Sequence, residues 1–266
     1  MEAIAEITVP VLKTYNSFPY EWKNPPQELA LDTGQVHIWK IELDNPIFQI
    51  NFHRYLSADE QLRAARIVIP EKRRSFQSAR LALREILSIY TKQPISNIQF
   101  KYGPSGKPSL DRSGQLVSIE FNISHSENLM IAAFSINCPV GVDLEYLQTV
   151  STKDWVVSHY FSKNDQVIYE NLSERQKEIA FLTAWTKKEA YGKAIGTGFA
   201  SELQMDHFDQ GLRNFLPIGN YEMSQENALW YLRFTPQETF TAIAAIRSIK
   251  KPKPYFWQAH QGVLGE

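Results

Sequence analysis

A chain of 266 residues with 43% hydrophobic and 12% aromatic residues is long enough to bury a sizeable core, which excludes a disordered protein. The formal net charge of −1 gives the whole molecule no preference for polyanions. The charge is uneven, since residues 54–112 carry 12 Lys and Arg against 5 Asp and Glu, which suits a phosphate-bearing ligand, with a solvated basic helix surface as the alternative.

The sequence predicts a cytoplasmic protein that does not associate with membranes. Cys138 is the single cysteine, so no disulfide can form within the chain. The first residues, MEAIAEITVPVLKTY, lack the basic start and apolar core of a secretory signal. No apolar run reaches the ~18–20 residues that a membrane-spanning helix needs.

The first half of the chain begins with an irregular extension, residues 1–34, which is rich in Pro, Asn and aromatic residues. The alternating segment QVHIWKIEL (35–43) predicts a strand. Ser57 precedes Glu60 by three residues, a capping-box spacing that predicts the start of a helix. Apolar residues at helical spacing predict a second helix over 72–91.

The segments NIQFKY (97–102) and VSIEFNIS (117–124) predict strands on either side of the turn GPSGKP (103–108). The next two apolar segments, NLMIAAFSI (128–136) and PVGVDLEYL (139–147), predict two strands joined as a hairpin.

The second half repeats this order of strands, helices and strands. One helix is predicted to begin near Lys153, and a long amphipathic helix covers 175–196. Strands are predicted at LWYLRFT (229–235) and TFTAIAAI (239–246), before the basic tail KKPKP. The order predicts two α+β subdomains of similar plan, residues 1–138 and 139–266.

Two carboxylates interrupt the apolar strand around residue 143. Because side chains alternate along a strand, Asp143 and Glu145 project from the same face. Such a pair suits a hard cation such as Mg²⁺, which prefers oxygen ligands. The alternative is an exposed edge of the sheet with polar residues on its wet face.

Three further segments carry candidate site residues. Trp185, Glu189 and Lys193 are spaced i, i+4, i+8 on one helical face, where an ordinary surface ion pair beside a core tryptophan is the alternative. His125 in FNISHS lies at a strand end between serines suited to phosphate oxygens, or is a structural histidine. GPSGKP lacks the spacing of a Walker motif, so it is interpreted as a turn that presents Lys107.

The order of GKP, FNISHS, GVDLE and WTKKEAYGKAIGTGF resembles the 4′-phosphopantetheinyl transferase superfamily, in particular its larger, pseudo-dimeric branch of the surfactin-synthetase-activating type. The resemblance covers roughly residues 56–199. It implies an α+β fold of two similar subdomains related by a pseudo-twofold axis, each with a small antiparallel sheet packed on helices. It also implies a ligand cleft between the subdomains and a monomeric protein.

The resemblance implies transfer of the 4′-phosphopantetheine group from coenzyme A to a serine hydroxyl of apo acyl, peptidyl or aryl carrier proteins, with release of adenosine 3′,5′-bisphosphate. Mg²⁺ is the implied cofactor, with Mn²⁺ as the alternative. A non-catalytic module that binds coenzyme A or a carrier protein is the alternative function. A nucleic-acid-binding protein is a third interpretation, which the net acidic second half disfavours.

The resemblance also implies roles for individual residues. Asp143, Glu145 and Glu189 are the implied metal ligands, with Glu189 also the favoured general base. Lys193, one turn further along the helix, is implied to contact a phosphate, which completes the catalytic set. Coenzyme A is implied to be bound by a set of mostly basic residues, with the arginines on its 3′-phosphate: Arg63, Arg74, Arg80, Lys107, Pro108, Ser124, His125 and Lys193.

Overall fold

The computed structural model describes residues 20–49, 52–103, 106–110, 117–196, 221–224 and 228–259. Within these residues the chain forms an α+β fold of two four-stranded sheets and one two-stranded sheet, packed on helices. The strands are β1 (Gln35–Glu42), β2 (Phe100–Tyr102), β3 (Pro108–Leu110), β4 (Ile119–Ser126), β5 (Leu129–Ile136), β6 (Val140–Tyr146), β7 (Tyr221–Ser224), β8 (Leu229–Phe234), β9 (Phe240–Arg247) and β10 (Lys253–Gln258). The α-helices are α1 (Phe52–Tyr55), α2 (Ala58–Ala65), α3 (Pro70–Thr91), α4 (Lys153–Tyr160), α5 (Lys163–Glu170) and α6 (Glu174–Ile195).

Most of the predicted elements are confirmed within a few residues. Strand β1 lies in the predicted segment 35–43, and α3 begins two residues before the predicted helix 72–91. Ser57 and Glu60 form the predicted capping box at the start of α2. The long predicted helix 175–196 is α6. None of the described helices is long and apolar enough to cross a membrane.

The first sheet has the strand order β10-β1-β5-β4 and corrects the predicted division of the chain. Strand β10 pairs in parallel with β1, so its residues belong to the first sheet and not to a subdomain 139–266. This sheet is therefore not wholly antiparallel. The pairing is stabilised because Phe256 and Trp257 enter the two cores on opposite faces of the sheet.

Strand β5 is buried along its whole length, and this corrects the predicted hairpin over 128–147. Its side chains alternate between the two cores, with Phe134 on one face and Ile131 on the other. A central strand needs partners on both edges, and β5 pairs with β1 and β4. The observed hairpin is therefore β4–β5, while β6 begins the second sheet by pairing with β9.

The second sheet is antiparallel in the order β6-β9-β8-β7, and α6 packs on β6 and β9. Gly141 on β6 makes this packing close. A Cβ atom at Gly141 would overlap the backbone of Ala190 and Ala194 in α6. The glycine of GVDLE is therefore a steric requirement for the approach of the helix that carries Glu189 and Lys193.

The two large sheets meet where their edge strands β4 and β6 run side by side. Polar side chains of β4 bond to the backbone of β6: the Asn122 side-chain oxygen accepts from the Val142 N–H at 2.9 Å, and the Ser126 hydroxyl oxygen accepts from the Tyr146 N–H at 3.2 Å. These bonds occupy sheet edges that would otherwise expose unpaired backbone groups. The junction of the two subdomains is thus a polar seam.

Candidate active site

A cluster of carboxylates lies on the β6 side of this seam. Asp143 is only 3% exposed, and its Oδ2 atom has no hydrogen-bond partner among the described residues. Burial first, and then the negative charges of Asp143 and Glu189, raise the pKa of Glu145 to about 7, although Lys193 and a hydrogen bond with Trp185 act in the opposite direction. The carboxylates repel one another in a partly desolvated site, which favours the binding of a cation.

The ammonium group of Lys193 joins three elements at this site. Its Nζ donates to Asp143 Oδ1 at 2.6 Å and to Ser124 Oγ at 3.0 Å. The Ser124 hydroxyl in turn donates to the same Asp143 oxygen at 2.9 Å. The structure therefore brings together predicted residues from β4, β6 and α6, and hence from both subdomains.

The donor set is suited to a hard cation, although it is not arranged around one. Among the described residues, no three His, Cys, Asp or Glu side chains are grouped so that they could hold a metal ion. Lys193 supplies the positive charge at Asp143 instead. Carboxylate oxygens are the ligands that Mg²⁺ prefers, and Asp143 Oδ2 is available. The metal-ligand roles of Asp143, Glu145 and Glu189 remain predictions that this chemistry fits.

Cations gather on the α3 side of the seam. Arg80 is 8% exposed, and its Nη1 atom has no hydrogen-bond partner among the described residues. Its Cζ lies 5.8 Å from the centre of the Tyr102 ring, and Arg63 Cζ lies 4.6 Å from the same ring. Burial, together with the nearby charges of Arg63 and Arg84, lowers the pKa of Arg80 despite the opposing effect of Glu60 and Tyr102. Such a group of donors suits an anion.

His125 lies on β4, close enough to Arg80 and Lys193 for both charges to act on it. Although it is solvent-accessible, desolvation by the surrounding protein, followed by the charges of Lys193 and Arg80, lowers its pKa. The charges of Lys193 and Arg80 therefore both act on the His125 imidazole. Arg80 and Lys193 both lie within electrostatic range of His125, so a ligand with two anionic groups could pair with each cation.

Three predicted ligand-binding residues have other contacts in the structure. Arg74 is exposed and pairs with Glu71 of its own helix at 3.2 Å. The Lys107 ammonium donates to the backbone carbonyls of Val140 and Lys193, which ties the turn before β3 to β6 and to the last turn of α6. Pro108 is buried at the start of β3. Their roles in binding coenzyme A remain predictions.

Sequence reasoning missed two residues that the structure brings to the site. Tyr102 ends the short strand β2 and lies under the two arginines. Asn122 holds β4 against β6. A signal for Asn122 was present, because polar residues at 120, 122 and 124 alternate with apolar ones at 119, 121 and 123 on β4. Tyr102 had no comparable signal in a three-residue strand.

Comparison with known proteins identifies the family. A family model described as the 4′-phosphopantetheinyl transferase superfamily matches residues 139–247, and one described as 4′-phosphopantetheinyl transferase, N-terminal, matches residues 46–137. The 4′-phosphopantetheinyl transferase HetI of a Nostoc species is 32% identical over 239 residues, which cover 90% of this chain and 98% of that protein.

Two relatives from other organisms match over shorter segments. The 4′-phosphopantetheinyl transferase gsp of Aneurinibacillus migulanus is 34% identical over 118 residues, 44% of this chain and 46% of that protein. The human L-aminoadipate-semialdehyde dehydrogenase-phosphopantetheinyl transferase is 27% identical over 176 residues, 62% of this chain and 56% of that protein. With its two subdomains and the GVDLE strand facing α6, the chain belongs to the larger branch of the 4′-phosphopantetheinyl transferase superfamily.

Proposed function

We propose that this 4′-phosphopantetheinyl transferase moves the phosphopantetheine group of coenzyme A to a serine of an apo acyl, peptidyl or aryl carrier protein, and that it requires Mg²⁺. The observation that carries the proposal is the contact of Lys193 with Asp143 and Ser124, at 2.6 and 3.0 Å. This contact lies at the seam, between the carboxylates of β6 and α6 and the cations of α3.

The charges of the site match those of coenzyme A. The substrate carries a pyrophosphate and a separate 3′-phosphate. The pyrophosphate suits the region where Lys193 and the carboxylates meet, since a cation and a lysine can together compensate its charge. The 3′-phosphate suits Arg80 and Arg63, whose guanidinium groups lie over the Tyr102 ring. A ligand in this orientation spans both subdomains.

The reaction needs positioning and charge compensation more than covalent chemistry from the protein. The serine oxygen of the carrier attacks the β-phosphorus, and the bond from that phosphorus to the oxygen bridging the two phosphates breaks. Adenosine 3′,5′-bisphosphate leaves with the bridging oxygen. The serine proton passes to a carboxylate, for which Glu189 on α6 is the proposed acceptor.

Asp143 and Glu189 are the proposed ligands of Mg²⁺, or of Mn²⁺ as the alternative, with Glu145 as a further ligand. When bound, the cation would supply positive charge that compensates the pyrophosphate and stabilises the negative charge that develops on the departing adenosine 3′,5′-bisphosphate. Lys193 must give up Asp143 Oδ1 for a cation to bind there. The released ammonium is then free to contact a phosphate oxygen of the substrate.

We propose that the protein acts as a monomer in the cytoplasm. One chain supplies both halves of the seam, so no second copy is needed to complete the site. The single cysteine, Cys138, is a free thiol, which agrees with a reducing compartment.

Intact-mass spectrometry of apo carrier proteins tests the proposal. Fatty-acid, polyketide and peptidyl carriers are each incubated with the protein, coenzyme A and Mg²⁺, with and without EDTA. The expected result is a mass gain of one phosphopantetheine group that EDTA abolishes. No gain on any of the three carriers, together with calorimetric binding of coenzyme A, would contradict transfer and support a binding module.

A further inference from the structure

Two buried polar atoms of the first subdomain face the same small region without a partner. They are the hydroxyl oxygen of Tyr102 and Nη1 of Arg80, neither of which has a hydrogen-bond partner among the described residues. A buried polar atom that is left unpaired costs about 1–3 kcal/mol. Two such atoms on side chains that touch each other indicate a site built for a ligand.

The side chains around these atoms are held in place. Arg80 is 8% exposed, and its Cζ lies 5.4 Å from the ring centre of Phe76 and 5.9 Å from that of Phe100. Tyr102 is fixed by the pairing of β2 with β3, where it faces Pro108. Cation–π contacts with these aromatic rings favour the observed position of the guanidinium. The geometry is therefore set before a ligand arrives.

The chemistry of the pocket selects an anion. A guanidinium only donates hydrogen bonds, and a tyrosine hydroxyl can donate one. Arg63 adds a second guanidinium over the Tyr102 ring. The nearby acid, Glu60, has its charge compensated by Arg84, whose Nε lies 2.8 Å from Glu60 Oε2. The local balance is positive, as a phosphate with several acceptor oxygens requires.

We propose that the Tyr102 hydroxyl is a specificity-determining contact for the 3′-phosphate of coenzyme A and that it binds this group together with Arg80. The inference rests on the proposed function. Bond breaking occurs at the pyrophosphate, which belongs with Lys193 and the carboxylates. The Tyr102–Arg80 pair is separate from the reacting region, since Arg80 packs on the Tyr102 ring and Lys193 donates to Asp143 and Ser124. The 3′-phosphate is the remaining anionic group of coenzyme A, and it is the one available to bind Tyr102 and Arg80.

The test compares coenzyme A with dephospho-coenzyme A, which lacks only the 3′-phosphate. Tyr102→Phe removes the hydroxyl and keeps the ring. For coenzyme A, kcat/KM should fall about tenfold or more, mainly through KM, because a hydrogen bond to a charged group is lost. For dephospho-coenzyme A, kcat/KM should change less than about twofold. The variant should thus discriminate less between the two substrates.

The matched control is Tyr255→Phe, a hydroxyl deletion on β10 away from the arginines, which should change neither value. Thermal unfolding adds a second readout: Tyr102→Phe should be at least as stable as wild type, since it removes a buried unpartnered hydroxyl. Equal losses on both substrates, or no loss on coenzyme A, would overturn the inference.

Calorimetry separates this inference from the proposed transfer reaction. Adenosine 3′,5′-bisphosphate and adenosine 5′-monophosphate are titrated into the wild type and Tyr102→Phe. The variant should lose affinity for the bisphosphate alone, about tenfold. This result would support the Tyr102 contact even if no carrier were modified, and an unchanged bisphosphate affinity would contradict it even if transfer were normal.

Discussion

Two ion pairs with buried carboxylates lie in different regions of the molecule and differ in the exposure of their cations. Glu60 and Arg84, inside the first subdomain, are 2.8 Å apart with side chains 0% and 2% exposed. Asp143 and Lys193, at the seam, are 2.6 Å apart with side chains 5% and 28% exposed. The first pair is closed to solvent, while the lysine of the second reaches the surface.

The surroundings of the two pairs explain the difference. Arg84 also donates to the backbone carbonyls of Ile95 and Ile98, and Glu60 accepts from the Ser57 N–H, so the pair joins α2 and α3 to the turn before β2. Each pair leaves one carboxylate oxygen, Glu60 Oε1 or Asp143 Oδ2, without a hydrogen-bond partner among the described residues. The difference therefore lies in the cation: Arg84 is enclosed by backbone carbonyls, and the Lys193 side chain is 28% exposed. A pair surrounded by backbone groups fixes the fold. A pair whose cation reaches solvent can exchange partners, as binding requires.

Asp143→Ala should break the seam pair with the largest effect on function. Without the carboxylate, the cation proposed for the pyrophosphate loses a ligand, and the transfer rate should fall by about a thousandfold. The fold should be retained, because the half-exposed Lys193 can turn towards solvent. Mass spectrometry of the carrier measures the rate, and circular dichroism measures the fold. A folded variant with normal turnover would contradict the proposed role of Asp143.

Arg84→Ala should break the closed pair with the opposite outcome. It leaves the Glu60 carboxylate buried without its cation, which should lower the free energy of unfolding by about 3–5 kcal/mol. Urea denaturation measures the loss. Lys177→Met, which removes a pair with the exposed Glu174 on α6, is the control and should change the free energy of unfolding by less than about 1 kcal/mol. An equally small effect of Arg84→Ala would show that the buried pair does not hold the first subdomain together.

Local patterns predicted the fold well where one segment determines its own structure. The capping box at Ser57 and the helical spacing of α3 and α6 needed no knowledge of other segments. The strand β10 and the hairpin β4–β5 could not be predicted in this way. The pairing of these strands depends on which apolar faces pack together in the folded chain. The local sequence of a segment such as PYFWQ does not specify that it pairs with β1.

In the candidate site, too, local spacing predicted what one segment determines but not the contacts between segments. The spacing of Asp143 with Glu145, and of Glu189 with Lys193, placed each pair on one face from sequence alone. Their mutual approach depends on Gly141, whose missing Cβ lets α6 lie on β6. The contact between Lys193 and Ser124 joins residues 69 positions apart, and no local pattern could predict it. The exposed pair of Arg74 with Glu71 has i,i+3 spacing on α3, so it is a contact that local helical spacing could have indicated.

Glu85→Gln extends the comparison of the two ion pairs to a buried acid next to Arg84 in the chain. The Oε2 atom of Glu85 has no hydrogen-bond partner among the described residues. Burial raises the pKa of Glu85 from 4.5 to about 8. The folded protein therefore keeps a proton that the unfolded chain releases near its ordinary pKa, so stability falls as pH rises between these two values. The glutamine cannot ionise and escapes this loss.

At pH 8 the Glu85→Gln variant should be more stable than wild type by on the order of 2 kcal/mol, with little difference near pH 4.5. Urea denaturation at both pH values provides the measurement. Glu170→Gln, at an exposed position, is the matched control and should show no such divergence. A stability difference that does not change with pH would mean that Glu85 is not held protonated by the fold.

Lys193→Met tests whether Asp143 can exchange Lys193 for another cation, unlike Glu60 with Arg84. The lysine compensates Asp143 while no metal is bound, so it competes with a metal cation for the same carboxylate. Removing a charge this close should strengthen the binding of Mn²⁺ alone by about tenfold, even though the variant loses the phosphate contact needed for transfer. Electron paramagnetic resonance of free Mn²⁺, without coenzyme A, measures the affinity.

Three further variants make the Lys193 result specific. Lys193→Arg keeps the charge and should bind Mn²⁺ like wild type. Lys177→Met should do so too, because it removes a lysine that lies about 24 Å before Lys193 along the same helix. Lys193→Gln is a second neutral variant that can still donate to Asp143 and Ser124, should methionine prevent folding. Tighter binding in the neutral variants alone means that the protein's own cation occupies the carboxylate until substrate draws it away. Equal or weaker binding would make the Asp143–Lys193 pair as closed as Glu60–Arg84.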